Sequence, residues 1–133
     1  MVAPVRSLVG GCLCGAVRYE ILGEPRSASL CHCRSCRRAS GAPVVSWFVV
    51  SREQLSLSGE LAVYSSSPPV TRGFCSKCGT PITYFHADDP NSIELTTASL
   101  EQPELVIPTR EIWLSEKIAW MPIDSKREHF LTH

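Results

Sequence analysis

Apolar residues come in short stretches, most too brief for a helix, between turn-forming clusters. Val17, Tyr19 and Ile21 alternate with Arg18 and Glu20, the period of two that marks a strand with one covered face. Residues 44–50 (VVSWFVV) form a nearly continuous apolar run, which predicts a strand covered on both faces. Shorter strands are predicted around 61–64, 81–85, 93–97 and 111–114, separated by turn-rich segments such as SSSPP at 65–69 and DDPN at 88–91. Helix is confined to a turn at 35–39 and another at 51–55. The pattern predicts a mainly β chain, a small antiparallel β-sheet fold with little helix. No internal repeat or interdomain linker interrupts it, so residues 1–133 are read as a single domain.

Composition agrees with that picture and narrows the function. At 133 residues the chain is one domain long, and a domain of this size removes roughly two thirds of its unfolded surface from water. Charged residues are 20% and hydrophobic ones 44%, the profile of a folded soluble protein. Lys plus Arg and Asp plus Glu balance at 13 each, leaving no net field to draw in nucleic acid or an anionic membrane, although RSCRR is a local basic patch. Neither is expected as a partner. The N-terminal MVAPVRSLVGG is broken by Pro4, Ser7 and a Gly pair and lacks the apolar core of a secretory signal. No run approaches the roughly 20 apolar residues of a membrane helix. A cytoplasmic location is expected, where thiols stay reduced.

Seven cysteines need a different use there. They stand at Cys12, Cys14, Cys31, Cys33, Cys36, Cys75 and Cys78, as C-x-C, C-x-C-x2-C and C-x2-C. Disulfides fit poorly, because the count is odd and cysteines one residue apart do not readily pair with each other. Metal ligation fits: thiolates hold zinc in tetrahedral sets, and C-x2-C is the usual knuckle spacing. Iron–sulfur ligation by four cysteines is the rival. Gly15 and Gly79 follow the last thiol of their clusters and can take the positive φ that turns backbone N–H groups toward sulfur. In an extended C-x-C both thiols share a face, so Leu13 and His32 are expected to point away from the metal. His32 is accordingly read as exposed or supporting rather than ligating.

GGCLCGAVRYE, CHCRSCRRASGAP and RGFCSKCGTPI, followed by a tail with Trp113 and Trp120, together resemble the glutathione-dependent formaldehyde-activating enzyme family, whose relatives include centromere protein V-like proteins. The resemblance runs from Gly10 to about Trp120. It implies a β-rich, β-tent-like fold with two zinc ions per chain. One, structural, would be held by Cys12, Cys14, Cys75 and Cys78, and the second by Cys31, Cys33 and Cys36. Ligand arithmetic agrees, since two knuckles complete a tetrahedron and the triplet leaves a fourth position. Spacing alone leaves other pairings open, such as Cys12 and Cys14 joining two of the triplet.

The implied activity is that of a carbon-sulfur lyase or synthase. Glutathione's sulfur, bound as thiolate at the three-cysteine zinc, would add to formaldehyde to give S-(hydroxymethyl)glutathione. Arg34, Arg37 and Arg38 are candidates for offsetting the thiolate charge and pairing with glutathione's carboxylates; a solvated face is their other reading. No acid or base is singled out: His86, Asp88, Asp89, Glu94 and Glu111 are read as solvated, and Trp47, Trp113 and Trp120 as core. A zinc enzyme or carrier for another thiol adduct, and a non-enzymatic zinc-stabilised interaction module, are the competing readings. Sequence does not give the oligomeric state.

Overall fold

A computed structural model describes residues 6–133; the start of the N-terminal segment read above, through Val5, lies outside them. The strands are β1 (Ser7–Gly11), β2 (Arg18–Leu22), β3 (Ser27–Cys31), β4 (Val45–Ser51), β5 (Leu55–Ser58), β6 (Leu61–Ser67), β7 (Val70–Cys75), β8 (Pro81–His86), β9 (Ser92–Thr96), β10 (Arg110–Ile112) and β11 (Glu128–His129). One α-helix, α1 (Arg34–Ser40), follows β3, and the predicted helical fragment at 51–55 is a 3-10 turn over Arg52–Gln54. No helix of the described residues is long and apolar enough to cross a membrane. β1, β2 and β5 form a three-stranded sheet, and the other eight strands run in the order β11-β10-β3-β4-β9-β8-β7-β6.

The predicted mainly β fold is present, and the burial patterns explain it. β2 alternates, with Tyr19 and Ile21 inside and Arg18 and Glu20 outside. β4 is the central covered strand, paired with β3 on one side and β9 on the other. Leu8, Val17, Tyr19 and Ile21 from the small sheet side meet Phe48, Val50, Ile82 and Leu95 from the large sheet in one core. Cys12, Cys75 and Cys78 belong to that core, so one cysteine group sits where the two sheets join. A second cluster gathers Cys31, Cys36, Val45 and Trp47 with Cys33, Tyr84, Ile112 and Trp113.

The expectation of a purely antiparallel sheet is corrected at one edge, where β10 pairs parallel with both β3 and β11. Parallel neighbours need a crossover. Residues 97–109, with 3-10 turns at Thr97–Ser99 and Pro103–Leu105, carry the chain from β9 to the far side of β3. The expected strand at 111–114 is cut short, because Trp113 adopts φ 58° and a 3-10 turn follows at Leu114–Glu116.

A buried polar clamp holds this edge. His32 Nε2 and Glu111 Oε1 lie 2.6 Å apart, with both side chains withdrawn from solvent. Glu111 Oε2 accepts from the Asp124 backbone N–H at 3.0 Å and from Arg127 Nη1 at 3.2 Å. Burial pushes the Glu111 carboxyl up, but the bonds from His32, the Asp124 N–H and Arg127 outweigh it and hold the group below its ordinary value. His32 is thus buried rather than exposed, and it supports rather than ligates: it anchors the C-terminal segment through Glu111. Glu111, read as solvated, is corrected to a buried residue, since the tail that folds over it supplies donors the sequence does not announce. Trp120, read as core, is corrected to 71% exposed.

Removing the carboxylate orphans a buried imidazole and two donors. Glu111→Ala is therefore expected to lower unfolding free energy by about 2–4 kcal/mol, and Glu111→Gln by about half of that. Urea unfolding provides the measurement, with amide exchange at Phe130, whose N–H bonds to the Glu111 carbonyl at 2.9 Å, as local readout. An alanine variant as stable as wild type would show that other contacts hold the tail.

Candidate metal centres and cavity

Cys12 and Cys14 lie in the turn after β1, Cys75 ends β7, and Cys78 stands in the turn before β8. Their four Sγ atoms all fall within 4.8 Å of one another. Cys12 and Cys14 sulfurs are 3.6 Å apart, and those of Cys14 and Cys75 3.8 Å. A tetrahedron with metal–sulfur bonds of about 2.3 Å has edges of about 3.8 Å, so these two edges match those of a thiolate-bound cation. Backbone N–H groups converge on the sulfurs: Val17 donates to Cys12 at 3.2 Å, and Lys77 and Cys78 donate to Cys75 at 3.4 and 3.5 Å. Gly15 and Gly79 both have φ 82°, as the knuckle reading requires. The Thr80 hydroxyl, with the Thr80 and Cys14 backbone N–H groups, holds the Cys78 thiol down to about 5. Thr80 Oγ1 also accepts from the Leu13 N–H at 3.1 Å, which stitches one knuckle to the other. Leu13 itself is 89% exposed and points away from the sulfurs, as expected.

The second group is local. Cys31 ends β3, Cys33 caps α1, and Cys36 lies in the helix's first turn, where its N–H donates to Cys33 Sγ at 3.2 Å. These three sulfurs also lie within 4.8 Å of one another. Crowding divides the protons: thiol bonds from Cys31 and Cys36 hold the Cys33 thiol down to about 2, and the bond to Cys33 pushes Cys31 far up. Three sulfurs so placed call for positive charge, and both cysteine groups are suited to holding a metal ion. All seven cysteines are free thiols. They assemble as four and three; the alternative in which Cys12 and Cys14 join the triplet does not occur.

The difference between the groups is what adjoins them. The three-cysteine group forms part of the wall of a cavity of about 560 Å3. Arg72 reaches into it from β7, with Nη1 and Nη2 each 3.7 Å from Cys36 Sγ. Its Nε donates to Ser66 Oγ at 3.1 Å, and its guanidinium lies 5.2 Å above the Tyr84 ring, so three contacts fix its position. Tyr84 leans on Trp47, centroids 5.8 Å apart. Trp113 stacks on His133, centroids 5.5 Å apart, and both line the cavity. Glu94, also lining the cavity, has its carboxyl pushed up to about 7 by burial, against the pull of Arg72.

Of the arginines singled out by sequence, Arg34, Arg37 and Arg38 all ride on α1 beside the triplet, but none lines the cavity. Arg37 Nη2 donates to the Glu116 carbonyl at 3.3 Å, and the Arg34 backbone N–H donates to the Glu116 carboxylate at 2.7 Å. Arg38 faces solvent. The arginine that touches sulfur is Arg72, which no local motif marks, because strand pairing brings it there from 36 residues away. Glu94, read as solvated, is corrected to a largely covered cavity residue. His86, Asp88 and Asp89 sit where β8 turns toward β9 and line the same cavity.

A family model described as glutathione-dependent formaldehyde-activating enzyme matches residues 7–116. A curated Halomonas elongata protein named "Putative glutathione-dependent formaldehyde-activating enzyme" is 24% identical over 131 residues, covering 91% of this chain and 83% of the relative. A crystal structure of a Rhodobacter sphaeroides protein superposes with a TM-score of 0.59 at 23% identity, covering 92% of this chain and 98% of the other. With the family's match spanning both cysteine groups and most of the chain, this protein belongs to the glutathione-dependent formaldehyde-activating enzyme family.

Proposed function

We propose that the chain is a zinc-dependent carbon-sulfur lyase or synthase that adds glutathione to formaldehyde, giving S-(hydroxymethyl)glutathione. The observation that carries this reading is the placement of Cys31, Cys33 and Cys36 in the wall of a cavity large enough for a small peptide thiol, with Arg72 against Cys36. Cys12, Cys14, Cys75 and Cys78 would hold a structural zinc, and the triplet a second. Zinc at a three-thiolate site supplies a further position at which an incoming thiol is held deprotonated at neutral pH.

The chain's own residues do the rest. Arg72 offsets the negative charge of the triplet and keeps Cys36 in place. Tyr84, Trp47 and Trp113 provide apolar walls that limit water around the attacking sulfur. The sulfur lone pair attacks the carbonyl carbon, the C–S bond forms, and the carbonyl oxygen takes up a proton. Arg34 and Arg38, exposed on α1, are candidates for glutathione carboxylates that extend past the cavity mouth. A purely structural interaction module has no use for a sulfur triplet that opens on a cavity, which favours the enzymatic reading. Cytoplasmic residence belongs to the same proposal, because glutathione and reduced thiols coexist there.

Purified without chelator, the protein is expected to be colourless and to carry two zinc ions per chain by elemental analysis. Cys75→Ser should unfold early, because a structural zinc contributes on the order of 10 kcal/mol, comparable to a whole domain's stability. Cys33→Ser should keep its fold while losing one zinc. Equal destabilisation of the two variants would make the triplet structural, and a brown sample would mean iron–sulfur ligation.

Cobalt-substituted protein tests the ligand. Its visible spectrum is expected to change on adding glutathione and to stay nearly unchanged with S-methylglutathione; equal responses would mean that the metal does not anchor the thiol. Arg72→Ala should weaken glutathione binding by about 10-fold or more, because the negative charge of the triplet is then no longer offset where the thiolate must bind.

A further inference from the structure

Addition of a thiol to a carbonyl moves one proton, from sulfur to oxygen, and no sulfur ligand can carry it while holding a cation. The carrier must share the cavity with the triplet, sit on rigid backbone and be free of a partner that locks its charge. Six groups that line the cavity with Cys36 are acids or histidines: His86, Asp88, Asp89, Glu94, Glu116 and His133. His133 is exposed at the end of the chain and stacked on Trp113. Asp88 and Asp89 are exposed turn residues, and His86 lies 3.9 Å from Asp88 at the rim. Glu116 is occupied by the Arg34 N–H.

Glu94 differs from all of them. It lies within β9, between β4 and β8, directly opposite Val49 on one side and Tyr84 on the other. Tyr84 is in turn opposite Arg72 on β7. Arg72, Tyr84 and Glu94 therefore form one row across three strands on one face of the sheet, and residues so paired share a face. One end of the row touches Cys36 Sγ. The other end is a carboxyl two strands away, about 10 Å at the backbone, with Tyr84 between them, and all three side chains line the cavity that holds the triplet. Glu94 takes part in none of the ion pairs among the described residues.

We propose that Glu94 is the proton carrier of the cavity, taking the proton from the incoming thiol and delivering it to the aldehyde oxygen; this rests on the thiol-addition reading above. In the first step the S–H bond breaks and the carboxylate gains the proton. In the second the sulfur lone pair forms the C–S bond, the C=O π pair moves to oxygen, and the Glu94 O–H bond breaks as the new O–H bond forms. The carboxylate is thereby restored, and thiol plus aldehyde equals product. The reverse sequence serves breakdown of the adduct. The charged and titratable groups facing Glu94 are Arg72 from β7, Tyr84 from β8, Asp89 from the β8–β9 turn and Arg110 from β10. Burial dominates among them and raises the carboxyl to about 7, so near neutral pH it can take a proton as carboxylate and give it up as acid.

The experiment uses the zinc-loaded full chain with glutathione and formaldehyde, reading exchange of formaldehyde carbon into the adduct by NMR above the uncatalysed background. In wild type, kcat should fall as pH rises through about 7, because the second step needs the protonated carboxyl. Glu94→Gln should lower kcat by about 100-fold or more, the range for a lost acid–base group, and abolish that limb. Its fold and its two zinc ions should be unchanged. Glu94→Asp should recover part of the rate. Infrared difference spectra between pH 5 and 9 should show a protonated carboxyl band in wild type that is missing in Glu94→Gln. If wild type binds glutathione and accelerates exchange while Glu94→Gln retains rate and pH profile, Glu94 is not the carrier and the functional reading stands. A wild type that neither binds glutathione nor accelerates exchange overturns that reading and the carrier role with it.

Discussion

Everything else in this fold depends on neutralising sulfur crowded into its interior. Four thiols within 4.8 Å of one another sit at the junction of the two sheets, and three more lie at the end of β3. As thiolates without a cation they repel; as neutral thiols they are weak hydrogen-bond groups that hold little together. A metal would convert the same proximity into attraction, and at the four-cysteine group it would join the turn after β1 to the knuckle after β7. That link spans more than sixty residues of sequence, and the core of Leu8, Ile21, Phe48 and Ile82 is assembled around it.

β7 and β8 connect the two groups mechanically. β7 carries Arg72 to the cavity and Cys75 to the closed group, while β8 carries Tyr84 under Arg72 and begins just past Thr80, which touches both Cys78 and Leu13. A shift of either strand would misplace an arginine at one group and a sulfur at the other. The register Arg72↔Tyr84↔Glu94 therefore has two constraints on it, core packing on one face and cavity geometry on the other.

Parts of this were legible in the chain and parts were not, for reasons that can be named. The cysteine spacings declare knuckles because ligation is local chemistry, and the alternation at Val17, Tyr19 and Ile21 declares a strand because one face is wet. β3 (SASLC) and β7 (VTRGFC) carry Ser, Ala and Gly where a strand would favour branched residues; neighbours on both sides make them strands. The parallel edge was illegible because it depends on where the tail docks, and the Glu111 clamp that docks it joins residues 79 apart. Arg34, Arg37 and Arg38 drew attention by adjacency in sequence, but a helix turn sends neighbours to different faces. Arg72 and Glu94 owe their positions to sheet register, which no short motif encodes.

The contrast between the two groups follows from how their ligands arrive. At the closed group, two pairs approach from separate turns, so protein fills all four corners of a tetrahedron and the surrounding N–H groups finish the sulfurs. At the triplet, all three ligands come from one strand–helix junction, and the remaining direction is the cavity. Three thiolates on a divalent cation would carry one net negative charge, which would weaken its pull on a carbonyl and leave a sulfur nucleophile to do most of the proposed chemistry. Arg72, with both Nη atoms 3.7 Å from Cys36, returns that charge toward zero. In the proposed addition, strong polarisation of the aldehyde would be unavailable from such a site, and the step would depend on a proton reaching the oxygen as the C–S bond forms. A protonated carboxyl in the same row of the sheet is the kind of group that meets that demand.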